Sequence, residues 1–478
     1  MEQKNKKKIS TQTIIKLLLA VVLLGLSAFL LKGDVWTFWT WWLLAGVMGF
    51  AAMPVTGRLF WRFEDKGWIF SKVLAIAATG FLTWFLTAIR LIPFNALTCA
   101  AVTILCAVIC FFLLRKESKE KTECFPVDSI SLIYWEELLF FLAFLMWTYL
   151  AGFRPAAYGT EKFMDYGFME AMMRSTTLPA RDLWYSEGHI NYYYGGQYFA
   201  VFLTKLSHTK VELTYNLMRT FVAGLAFAMP FSLVYQMMSD RMKGQQKSEK
   251  VIKGLPFAAG FTAGTAVSIA GNMHYVIYAQ IIPLIEKLTG KEVSSYWFPD
   301  ATRYIGYNPY REEDRTIHEF PCYSFVLGDL HAHVVNIMFV LLVIAFLYVW
   351  LRGVRKKTVP VETSMKDGKF WKEQLLMTHL LVISALLGMF QWTNFWDFVI
   401  YYVVTLGTVL FANIIRFQGK IKKIMVVTFA QMAEIYLLAY LVILPFTLQF
   451  DTMVDGIGIA KYHSYFYQLL VLWGLPAV

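Results

Sequence analysis

The stretch Gly328-Asp-Leu-His-Ala-His333 sets Asp329, His331 and His333 at the head of a long apolar run, VVNIMFVLLVIAFLYVW. If this stretch is helical, Asp329 and His333 are four apart and share a face, while His331 points elsewhere; if it is extended, His331 and His333 share one. Either geometry offers two ligands for a divalent ion, with Glu319 or His318 of the preceding RTIHEF as further donors. Histidine with carboxylate suits Zn or Mn, and oxygen-rich variants of the set suit Mg. The spacing is not HExxH, so no cofactor is fixed by it. A polar first turn, with Asp329 complementing the helix dipole, satisfies the same pattern.

A second group lies upstream. EKFMDYGFMEAMMRS carries Asp165, Glu170 and Arg174 on a Met- and Phe-rich segment that reads as an amphipathic surface helix. LPARDLWYSEGHINYYYGGQY follows with Arg181, Asp182, Glu187, His189 and the run Tyr192, Tyr193, Tyr194. Three tyrosines in a row serve either as headgroup anchors or as a stacking and hydrogen-bonding platform for a sugar ring. Further on, QWTNFWDF contributes Asn394 and Asp397, and Glu434 sits inside an apolar run, where an ionisable side chain is costly.

The elements that must position these groups are membrane helices. The chain is 58% hydrophobic and only 16% charged, and apolar runs long enough to cross a bilayer recur along it. No strand-type alternation accompanies them, so the expected fold is an all-α integral membrane protein of about 11–12 transmembrane helices. Spans are expected near 13–31, 35–53, 69–89, 94–114, 132–151, 215–238, 256–277, 333–351, 375–392, 398–414 and 424–447, with a further one opening near Tyr465 that the chain would have to continue to complete. Roughly two thirds of the lysines and arginines then fall on one side, which places the N-terminus in the cytoplasm of a multi-pass cell-membrane protein. The same asymmetry accounts for the net charge of +11 without a nucleic-acid partner.

Two loops on the outer side are long, 152–214 and 278–332, and they hold most of the residues above. Tyr192 to Leu206 is too short for a full crossing and reads as an interfacial or re-entrant helix. The domain division expected is an N-terminal four-helix membrane region, 1–130, followed by a membrane core over 131–478.

INYYYGGQY, EFPCYSFVLGDLHAHV and NFWDF, in that order, resemble the bacterial and archaeal "YYY" polytopic membrane proteins, the domain of unknown function 2298. That family in turn resembles the GT-C glycosyltransferases, such as protein O-mannosyltransferases and aminoarabinose transferases. The resemblance implies a GT-C-like core and transfer of a sugar from a polyprenyl-phosphate donor, within the membrane lipid, to an acceptor on the outer face. It makes Asp165 the match for the carboxylate in the long outer loop of those enzymes, with Asp329, His331 and His333 completing a catalytic cavity or holding a metal. Substrate contacts would come from Tyr192, Tyr193, Tyr194, His189, Glu319, Asn394 and Asp397, and donor-phosphate contacts from Arg174, Arg181 or Arg303. One departure stands out: in GT-C enzymes the loop follows the first span, whereas here it follows the fifth, so four N-terminal spans would be an addition. Two other classes fit the composition, a transporter or flippase and a metal-dependent hydrolase built on Asp329, His331 and His333.

Overall fold

Backbone amides in hydrocarbon must be satisfied within their own segment, so each apolar run closes into a helix. A computed structural model describes residues 10–120, 124–159, 161–243, 245, 249–354, 364–452 and 458–477. The connections around 121–123 and 355–363, and most of 244–248, lie outside the described residues.

The chain opens with α1 (Thr11–Leu31), capped by Ser10, whose Oγ accepts the Thr13 amide at 3.2 Å. After a left-handed Lys32 (φ 51°), α2 (Val35–Leu59) returns antiparallel to it. Trp39 Nε1 donates to Ser27 Oγ across the turn, and the carbonyl of Lys16 accepts from Tyr134 of a later helix. The helices α3 (Trp68–Ala88), α4 (Ala96–Glu120) and α5 (Ile130–Ala151) follow. The first long loop forms α6 (Lys162–Arg174) and α7 (Gly195–Ser207), leading into α8 (Val211–Met242). Next come α9 (Glu249–Ser268), α10 (Met273–Leu288), α11 (Pro321–Leu327) and α12 (Ala332–Val354). The rest is α13 (Gly368–Gln374), α14 (Thr378–Thr393), α15 (Phe395–Phe417), α16 (Ile421–Val442) and α17 (Phe466–Ala477).

Eight of the described helices are long and apolar enough to cross a membrane, or up to 10 if each bent pair is one span. In that count Thr11–Leu59 is one stretch of 49 residues. The hairpin at Lys32 divides it into two crossings, one more than the ten so counted and in line with the expected architecture.

The helices meet at close range where side chains are absent. Gly260 and Gly264 of α9, four apart, lie against α8; a Cβ at either would stand 2.6 Å from the Phe231 or Phe227 carbonyl oxygen. At one end of the bundle Lys72 pairs with Glu137 at 2.6 Å, Arg352 pairs with Asp240, and His379 Nε2 bonds the Leu59 carbonyl at 3.0 Å. At the opposite end α6, α7, α10 and α11 gather.

Three details differ from the sequence reading. Of the two forms expected for Tyr192 to Leu206, the interfacial one does not hold: α7 is buried along its length, against α6, α4 and α12. Its Tyr198, Phe199 and Phe202 are covered by protein on all sides, so the apolar face of α6 rests on α7 and not on lipid. The span expected over 256–277 breaks after Ser268 and bends by 79° into α10, so the second long loop begins with a helix and not at 278. Glu434 accepts the amide of Leu376 at 2.8 Å, where the chain bends by 55° between α13 and α14; it is a helix-joint acceptor.

Candidate functional site

Gly328 organises the site locally. It closes α11 in the left-handed region (φ 94°), returning its amide to the Ser324 carbonyl at 3.0 Å. A Cβ there would stand 2.9 Å from Arg219 Nη1 and 3.2 Å from Lys162 Nζ. The turn brings Asp329, Leu330 and His331 through outside any helix before α12 starts at Ala332, with His333 already in α12. Asp329 and His333 therefore do not share a helical face, and neither do His331 and His333 share one extended stretch, because the helix begins between them.

Asp165 projects from the first turn of α6 into this linker. Gln197 of α7 donates from Nε2 to Asp165 Oδ1 at 2.7 Å and to the Leu330 carbonyl at 3.1 Å, tying α6, α7 and the linker together. The Leu330 amide donates to the Tyr215 hydroxyl at 3.4 Å. His331 Nδ1 stands 3.5 Å from Asp165 Oδ2 and 3.8 Å from Glu161 Oε2, and His331 Nε2 stands 3.5 Å from Asp329 Oδ2. The imidazole is thus clamped between carboxylates. Its side chain is 16% exposed against 1% for Asp165, so His331 is the face of the pair nearer to an incoming molecule.

The electrostatics follow from that packing. Burial pushes the Asp165 carboxyl up to about 7, against the pull of His331 and the Gln197 bond. Burial alone would lower His331, but its bond to Asp329 and the charges of Asp165, Asp329 and Glu319 lift it to about 9. Near neutral pH the site therefore holds a cationic imidazole against a carboxyl poised to take or release a proton.

A second half adjoins the first through the two imidazoles, whose ring centroids are 5.6 Å apart. His333 Nε2 lies 3.2 Å from Glu319 Oε2, and Ser324 Oγ donates to the same oxygen at 2.8 Å. Burial opposes ionisation of Glu319, but His333, Ser324 and the His331 charge hold it below the usual carboxylate value. Asp397 accepts the amides of Asn336 at 2.6 Å and Asn394 at 2.9 Å, and Thr393 donates to Asn336 at 2.7 Å. Asn394 and Asp397 thus belong to the site as a network at the head of α15.

The tyrosine run divides. Tyr192 packs on Phe168 and on Tyr193, at 5.6 and 4.2 Å between centroids, within the field of Asp165 and Glu161. Tyr194 is a core residue: it is buried, and its hydroxyl accepts Trp84 Nε1 at 3.0 Å between Trp84 and Trp392. The start of α7 at Gly195 turns it inward.

The arginines assigned to a phosphate do not reach the cluster. Arg174 is exposed at the far end of α6, roughly 13 Å along the helix axis from Asp165. Arg181 and His189 face each other in an isolated bridge, held by the Asp182 amide on the Gly188 carbonyl, and both are exposed. Arg303 lies over Trp297 at 5.3 Å, and its charge acts on Asp300. The cations near the site are Lys162, which lies within EKFMDYGFMEAMMRS but was not singled out there, and Arg219, which lies outside the motifs. Arg219 is buried in α8 and donates to the Phe325 carbonyl and to Asn216 Oδ1, bracing the turn before Asp329. A charged residue within the apolar run NLMRTFVAGLAF was its one signal. Gln197, Glu161, Ser324 and Asn336 carry no comparable signal.

Among the described residues no three His, Cys, Asp or Glu side chains converge as a metal site. Asp329 and His331 engage each other while His333 turns to Glu319, so the expected ligand triad is divided.

The fold and this cluster define a polytopic all-α membrane protein with a polar, carboxylate–imidazole site at one end of its bundle. A family model described as uncharacterized membrane protein (DUF2298) matches residues 78–478, and the chain belongs to that family. The match begins within α3. No curated protein and no solved structure matches the chain.

Proposed function

We propose that the protein is a GT-C-type membrane glycosyltransferase, moving a sugar from a polyprenyl-phosphate-linked donor to an acceptor. On this reading the face carrying Asp165 is the outer face of the cell membrane and the N-terminus is cytoplasmic, as the distribution of basic residues favours. The observation that carries the reading is Asp165 itself: a buried carboxyl with its pKa near 7, 3.5 Å from a cationic imidazole.

The chemistry asks for that combination. The acceptor hydroxyl oxygen bonds to the anomeric carbon, the bond from that carbon to the phosphate oxygen breaks, and the lipid phosphate leaves with the electron pair. Asp165 takes the hydroxyl proton, a step in which a positioned base contributes about 10²–10⁴ in rate. His331 and Lys162 meet the charge developing on the leaving phosphate, with the field of Arg219 behind them. Glu161 and Asp329 keep the imidazole oriented and charged. A hydrolase reading asks Asp329, His331 and His333 to share one ion, which their opposed partners do not favour.

Incubating membranes that contain or lack the protein with radiolabelled polyprenyl-phosphate sugars tests the reading. Protein-dependent movement of label into a new product supports it. Label that crosses the bilayer of a proteoliposome unchanged, with no new product, would replace it with the transporter reading.

A further inference from the structure

Beside the cluster, between α9 and α15, a groove of about 410 Å³ runs along α12. Its wall on α12 is Ile337, Val340, Leu341 and Ile344, one face of the helix by spacing. Val267 of α9 and Tyr401 of α15 flank it. Apart from Tyr401 its polar groups gather at one end, where Glu319, Ser324, His333 and Asp397 form the head. From that head the apolar wall continues into a span whose mean hydropathy is 2.7. The cavity therefore has the build of an amphiphile, with a place for a chain at bilayer depth and a place for a head at the polar lip.

The charge of the head selects the occupant. Among the described residues no lysine or arginine lines the groove; its ionisable groups are two carboxylates, a histidine and a tyrosine. His333 is already engaged by Glu319 at 3.2 Å, and Asp397 already accepts two side-chain amides. A phosphate placed here would face carboxylates with its counter-charge taken. A hydroxyl or an amine would instead donate to them. The cations Lys162 and Arg219 stand at Gly328, outside the groove lining.

We infer that this groove binds a membrane lipid with a long apolar chain and a hydroxyl or amine head, entering sideways from the bilayer, and that this lipid is the acceptor. The phosphate-bearing donor takes the Lys162 side. The word acceptor rests on the transferase reading; the selectivity of the groove does not. The paired imidazoles of His331 and His333 join the two halves, so a hydroxyl bound at Glu319 lies on the path to Asp165.

The test uses the full chain in nanodiscs with two photoreactive probes of the same long chain, one ending in a free hydroxyl and one in a monophosphate. Crosslinked peptides are mapped by mass spectrometry. The alcohol is expected to label α12 and the facing parts of α9 and α15, and the phosphate to compete for those positions at least tenfold more weakly. Ile337→Trp and Ile344→Trp, at half-buried positions on the groove wall, are expected to cut the labelling tenfold while the protein stays monodisperse. Glu319→Gln, which keeps the groove but removes a charge, is expected to narrow the preference for the alcohol. Equal or better labelling by the phosphate, or labelling that survives both tryptophans, would overturn the inference. Groove labelling without any sugar transfer would overturn the transferase reading and leave the groove assignment standing.

Discussion

Asp165 Oδ2 and His331 Nδ1 face each other at 3.5 Å, one from the first turn of α6 and the other from the linker before α12. Their pairing depends on Gln197, which holds the other Asp165 oxygen and the Leu330 carbonyl at once. The pair is the hinge of the functional account, and its titration gives the first prediction.

Activity is expected to be bell-shaped in pH. Asp165 acts once ionised, so the rate rises through about 7, and His331 acts while protonated, so the rate falls through about 9. Stability carries its own signs. The Asp165 carboxyl is raised from 3.8, so its contribution to folding is lost as pH climbs toward about 7; His331 is raised from 6.5, so its contribution is complete below that value and lost through about 9. A pH–rate profile of His331→Gln should lack the alkaline limb, and an unchanged profile would remove His331 from the reaction.

The tyrosines of INYYYGGQY should separate by experiment. Tyr194→Ala removes a buried ring and the acceptor for Trp84 Nε1, and is expected to cost roughly 3–5 kcal/mol, read as a large loss of thermal stability. Tyr192→Ala, half-buried beside Asp165, is expected to reduce activity with a far smaller change in melting temperature. Similar melting temperatures for the two would contradict the division.

Gly328→Ala tests the turn that presents the histidines. It places a side chain at φ 94°, 2.9 Å from Arg219 Nη1. The strain is on the order of 1–2 kcal/mol before any clash, so folded protein with diminished activity is expected. Wild-type activity would mean that the Arg219 brace is dispensable.

Sidedness is tested with single cysteines. Ser295→Cys lies exposed in the second loop at the site end, and Ser364→Cys lies exposed near α13 at the opposite end. In intact cells an impermeant maleimide is expected to label the first and spare the second. The reverse pattern would invert the orientation.

Much of the fold was legible because a crossing needs about 20 apolar residues in a row, and such runs announce themselves. α7 was not, because protein interior and lipid ask for the same residues: nothing in YYYGGQYFAVFLTKL says that α6, α3 and α12 will enclose it. Asp165, Asp329, His331, Glu319 and Asp397 stood out as polar groups beside apolar runs. Gln197 and Lys162 did not, because their roles arise from contacts between distant segments. Arg174, Arg181 and Arg303 lie apart from the cluster for the same reason: where a cation ends up is decided by how distant segments fold together.

The central claim is that Asp165 is the base. Asp165→Asn keeps the shape and can still accept from Gln197, but it has no basicity. The decisive measurement is transfer from radiolabelled polyprenyl-phosphate sugar by membranes matched for protein level. The account expects Asp165→Asn to lose about 10²–10⁴ in rate with expression and melting temperature preserved; a variant within a few-fold of wild type would contradict it.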